Sequence, residues 1–95
     1  MSDADRTAIV RADAVLSGRR RHDGQDIYLV VEVSGGIGAH DVERAKERAA
    51  LLERLGRPVV PVVAGRRIND EAAILAQERG VWSALGGLLT PPLNT

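Results

Sequence analysis

Asp26-Ile27-Tyr28-Leu29-Val30-Val31-Glu32-Val33-Ser34 decides the fold. The run is β-branched, aromatic and almost continuously apolar, which predicts a strand buried on both faces. Side chains alternate along a strand, so Tyr28, Val30, Glu32 and Ser34 share one face, and Ile27, Leu29, Val31 and Val33 share the other. Glu32 is the anomaly. Burying an ionised carboxylate is costly unless it is paired or coordinates a metal. Two readings stand side by side. Glu32 lies at a strand end, reaches solvent and pairs with an arginine, or it carries chemistry.

Upstream, Ala8 to Ser17 suggests a first strand, interrupted by Arg11 and Asp13. The intervening Asp23-Gly24 is a hairpin turn signal, so the two strands form an antiparallel pair with Arg19, Arg20, Arg21 and His22 at its tip. Downstream, Gly35-Gly36-Ile37-Gly38 is a flexible connection. A helix follows from His40 or Asp41 to Leu55, with Val42, Ala45, Ala49 and Leu52 at helical spacing. Gly56 stops it and Pro58 prevents continuation.

Val59 to Ala64 is a further buried strand, in which Pro61 argues for an edge or an irregularity. Gly65-Arg66-Arg67-Ile68 reads as a loop. Asn69 caps a second helix, with Asp70 and Glu71 at its positive end, that closes at Arg79-Gly80. Val81 to Leu85 is a last short strand, and Gly86-Gly87 turns the chain into Leu88-Leu89-Thr90. The order is ββαβαβ. It predicts an α/β domain with a mixed β-sheet: an N-terminal antiparallel hairpin, parallel βαβ crossovers and helices packed on the sheet.

Ninety-five residues make a single domain, 1–95, with 1–7 and 91–95 as flexible ends. A domain of this size buries only about two-thirds of its unfolded surface. With no phenylalanine, one tryptophan and one tyrosine, the core must come from Val, Leu, Ile and Ala. A core of small side chains favours self-association, and a homodimer is expected. The net charge of zero excludes a global pull toward nucleic acid, leaving local patches such as Arg19, Arg20 and Arg21, with Arg66-Arg67 weaker. The absence of cysteine excludes disulfides, zinc fingers and thiol catalysis. No apolar run has transmembrane length, so no membrane partner and a cytoplasmic location are expected.

Asp13 gives Glu32 a second meaning. In the expected hairpin, Asp13 and Ser34 are equally far from the turn, and Glu32 is one same-face step from Ser34. Two carboxylates meeting on an apolar surface repel unless a proton or cation lies between them. A hard divalent cation, Mg2+ or Mn2+, suits an oxygen-only site and can activate water against a phosphodiester.

The arrangement resembles the PD-(D/E)XK nuclease-like (restriction-endonuclease-like) superfamily. The matching residues are Asp13, Glu32, the run Asp41 to Ala49, the run Pro58 to Gly65, and Ala72, Ala76 and Gly80-Val81-Trp82. The resemblance implies metal ligation by Asp13 and Glu32 and cleavage of DNA or RNA. It departs from the family at Ser34, which stands where the motif lysine is expected, and in its short N-terminal portion. Lys46, the sole lysine, is the candidate replacement, or else it lies on a solvated helix face beside Glu43 and Glu47. The second reading is a non-catalytic member serving oligomerisation or nucleic-acid binding. A third is nucleotide binding by the glycine run, although the dinucleotide and P-loop fingerprints are both incomplete. His22 and His40 show no ligand spacing.

Overall fold

The computed structural model describes residues 14–21, 23–56 and 58–92. The order is β1 (Ala14–Arg19), β2 (Asp26–Val33), β3 (Gly36–Ile37), α1 (Ala39–Glu53), β4 (Val59–Gly65), β5 (Arg67–Ile68), α2 (Asp70–Arg79), β6 (Trp82–Leu85) and β7 (Leu88–Thr90). Five strands form one sheet in the order β1-β2-β4-β6-β7. The hairpin β1-β2 is antiparallel, β2-β4-β6 is parallel, and β7 returns antiparallel to β6. The mixed α/β sheet expected from the sequence is what forms.

The two crossovers, β2-α1-β4 and β4-α2-β6, step across the sheet in the same direction. Right-handed connections then place both helices on one face. That face holds the core, where Val63 packs with Ile37, Val42, Ala45, Ala72, Ala76 and Val81. Four buried alanines, Ala45, Ala49, Ala72 and Ala76, give the helices small contact surfaces. The opposite face is equally apolar. One row across it reads Ala14–Val31–Val62–Trp82 by register, and another reads Val33–Ala64–Ala84–Leu89.

The hairpin differs from expectation in frame. Ala14 faces Val31, two residues short of the Val33 that the expected frame assigns it. The turn is longer than Asp23-Gly24 alone implies. The Arg20 N–H donates to the Gln25 carbonyl and the Gly24 N–H to the Arg20 carbonyl, both at 2.8 Å, with Gly24 at φ 68°. A shift of two residues keeps every side chain on its face, so alternation alone could not detect it.

The two expected loops are a ladder. Beyond β2 and β4, Gly36 pairs with Arg67 and Ile37 with Ile68 in parallel. The link is a close backbone approach. The Ser34 N–H donates to the Ala64 carbonyl at 2.9 Å, and the Arg66 N–H donates to the Gly35 carbonyl at 3.1 Å. A Cβ at Gly65 would collide with the Ser34 carbonyl oxygen, so only glycine fits there.

Pro61 lies in a central strand rather than an edge strand. The Tyr28 N–H donates to the Pro58 carbonyl and the Ser34 N–H to the Ala64 carbonyl. Even-numbered positions of β4 therefore turn their polar groups toward β2, and the Pro61 nitrogen faces the other edge. There the pairing with β6 begins only at Val62. The missing N–H costs no ladder bond.

Candidate functional site

Glu32 occupies the helix-facing side of β2, level with Val63 on β4. It is 2% exposed, the one buried charged residue among the described residues. Arg48 reaches down from α1 and its Nη1 donates to Glu32 Oε1 at 2.5 Å. Arg48 lies three residues after buried Ala45 and four before buried Leu52, so it belongs to the sheet-facing stripe of the helix. The expected arginine partner is present, but Glu32 is enclosed and does not reach solvent. The pair answers the desolvation cost of each charge with the other's field.

Ser34 sits just beyond β2, and its hydroxyl donates to the Gly36 carbonyl at 2.9 Å. It closes the bend between β2 and β3. Lys46 is exposed on α1. Two residues along a helix turn a side chain about 160° away, so Lys46 projects opposite to Arg48 and away from Glu32. The basic group beside the strand carboxylate is Arg48, not Lys46. The signal for it was in the sequence: an arginine inside the apolar stripe of α1 and a buried acid in need of a partner.

Asp13 and His22 lie outside the described residues. The last described rung of the hairpin is Ala14 opposite Val31. Among the described residues, no group of three or more His, Asp or Glu side chains is arranged to hold a metal ion. Among the described residues, the groups placed at Glu32 are its own carboxylate and the Arg48 guanidinium that donates to it. By themselves these two groups fall short of the oxygen-rich shell that Mg2+ or Mn2+ requires.

The glycine run is not a phosphate cradle. At the N-terminus of α1, Asp41 Oδ2 accepts the Gly38 N–H at 2.9 Å, and its Oδ1 accepts from Arg44 Nη2 at 2.7 Å. A carboxylate already satisfies the donor and the dipole an anion would use. The Arg67 side chain lies against Gly36.

The arginines of the hairpin tip are largely answered locally. Arg19 lies 3.7 Å from Asp26, Arg20 lies 3.6 Å from Asp23, and Arg20 Nη2 donates to Gln25 Oε1 at 2.8 Å. Arg21 is exposed. Two carboxylates beside three guanidiniums leave a weak local field.

No family model, curated protein or solved structure matches the chain. No helix among the described residues is long and apolar enough to cross a membrane.

Proposed function

We propose that the chain is a PD-(D/E)XK-like domain that has given up hydrolysis and works as a cytoplasmic assembly module. The observation that carries this reading is the buried Glu32–Arg48 pair. In a hydrolytic member, the strand acid would present its oxygens to a divalent cation and a scissile phosphodiester. Here one of those oxygens accepts from a guanidinium beneath a helix. The Ser34 hydroxyl, at the position of the motif lysine, is directed to the Gly36 carbonyl. It carries no charge to stabilise a developing phosphorane. The fold class, the apolar core and the ion pair all support a stable scaffold without a reaction centre.

The test is cleavage of a panel of labelled single- and double-stranded DNA and RNA with Mg2+ or Mn2+, comparing the parent with Glu32→Ala. The expected result is no divalent-dependent cleavage by either protein. Cleavage by the parent that requires Mn2+ or Mg2+ and disappears in Glu32→Ala would overturn the proposal. It would make the chain a working nuclease.

A further inference from the structure

Strand β1 is an edge of the sheet, with β2 as its one neighbour among the described residues. The ladder fixes which way its polar groups point. Even-numbered residues of β2 turn theirs toward β4, so Ile27, Leu29 and Val31 exchange bonds with Gly18, Leu16 and Ala14. The Arg20 N–H on the Gln25 carbonyl continues the same frame. Val15, Ser17 and Arg19 therefore direct their N–H and C=O groups away from the sheet. No hydrogen bond among the described residues engages them.

The two edges of the sheet are guarded differently. β7 is 3 residues long and runs into Pro91-Pro92, which offer a further strand no donors. β1 is 6 residues long, with no proline or charge from Ala14 to Gly18. On its two sides Val15 is 40% exposed and Leu16 52%. Gly18 lacks the usual reasons to be glycine. Its φ lies outside the left-handed region, and a Cβ there would meet nothing within 4 Å. Glycine inside a strand costs stability and often marks a place where another backbone comes close.

We propose that β1 pairs antiparallel with β1 of a second copy, about a two-fold axis at Ser17, with Leu16 of each copy over Gly18 of the other. The contact gives the assembly reading above its surface and rests on that reading. The outward residues Val15, Ser17 and Arg19 are centred on Ser17. Setting Ser17 against the partner's Ser17 sets Val15 against the partner's Arg19, so every outward donor meets an outward acceptor. The two sheets join edge to edge into one, with both helix layers on the same side.

The side chains select this chain as its own partner. In that register Leu16 stands opposite the partner's Gly18, in the closer, non-hydrogen-bonded kind of pair. The space left at Gly18 receives the exposed leucine, and the exchange is reciprocal, as an isologous interface requires. Charge agrees with the same register. The two Arg19 residues fall about 13 Å apart along the strands, beyond the screening length of about 8 Å. Each keeps its own Asp26 beside it.

The experiment is sedimentation equilibrium on the full chain from about 1 µM to about 1 mM, a range that suits a small interface. It compares the parent, Ser17→Pro, Gly18→Val and the control Ile74→Arg. Ser17→Pro removes the central outward N–H and leaves every bond from β1 to β2 in place. Gly18→Val fills the gap at a site where the single chain has room. Ile74 is 60% exposed on α2, away from this edge. Circular dichroism checks that each variant folds, and if Ser17→Pro does not, Gly18→Val decides.

The expected result is a parent mass reaching twice that of the 10.2 kDa chain. Ser17→Pro should raise the dissociation constant at least about 30-fold and Gly18→Val at least about 10-fold, while Ile74→Arg dimerises like the parent. A parent that stays monomeric throughout would overturn the inference. So would a dimer that folded Ser17→Pro and Gly18→Val leave intact, and the assembly reading would then stand on another surface. A dimer weakened by both variants that cleaves nucleic acid would sink the non-catalytic reading and leave the β1 contact standing.

Discussion

The two crossover units of this domain share one backbone plan and differ in what they bury. In the first, β2 bends at Ser34, pairs again through β3 and enters α1 at Gly38. In the second, β4 bends at Gly65, pairs again through β5 and enters α2 at Asn69. One constant offset relates Glu32 to Val63, Gly36 to Arg67 and Ile37 to Ile68. At the equivalent inward position, the first unit holds a carboxylate under an arginine and the second holds a valine under alanines. The same scaffold therefore closes over either an ion pair or hydrocarbon. The charge at Glu32 is not demanded by the backbone plan, since Val63 fills the equivalent position in the second unit.

The comparison can be broken most sharply by removing one half of the pair. Arg48→Ala should strip the guanidinium from buried Glu32, and cost about 3–5 kcal/mol in urea unfolding. A loss below 1 kcal/mol, as for a surface pair, would show that Glu32 does not depend on Arg48. The equivalent bend in the second unit is guarded by shape. Gly65→Ala should cost about 1–3 kcal/mol as the β4 and β2 backbones separate, whereas Ser34→Ala should be close to neutral. Equal effects would mean that the bend is set by the Ser34 hydroxyl.

The helix entries differ more mildly. Asn69 Oδ1 accepts the Ala72 N–H at 2.8 Å, so Asn69→Ala should lower stability by about 1 kcal/mol. The Gly38 entry has only the Asp41 side chain reaching back, so Gly38→Ala should cost less. The smallest effect is the most informative. The double variant Glu32→Leu/Arg48→Met turns the first unit into a copy of the second. Replacing a buried pair with hydrocarbon is often neutral or stabilising, so its unfolding midpoint should equal or exceed that of the parent. A clear loss would show that the pair also organises the unit.

The sequence conveyed the elements more faithfully than the contacts between them. The Val- and Ile-rich runs, the helical spacing of Val42, Ala45, Ala49 and Leu52, and Asn69 with its acidic first turn are local signals, and they gave the strands and helices. The register of β1 on β2 is not local. A four-residue turn and a two-residue turn place the same side chains on the same faces. The β3-β5 ladder was invisible because two-residue strands of Gly-Ile and Arg-Ile carry no period.

At the candidate site, Glu32 was legible as an anomaly because a charge interrupts an apolar run. Its partner was legible too, because the apolar stripe of Val42, Ala45, Ala49 and Leu52 sets how α1 is rotated on the sheet, which brings Arg48 inward and turns Lys46 outward. The paired-acid reading depended on Asp13, which lies outside the described residues.

Trp82 gives one of these surfaces a voice. It is the chain's only tryptophan, half-buried, and it stands in register with Val62 on the sheet face away from the helices. Excitation of indole therefore illuminates a single place in the protein, and that place is the sheet face away from the helices. Its emission colour and its access to a dissolved quencher follow how dry that face is, in the unaltered chain and without an attached dye.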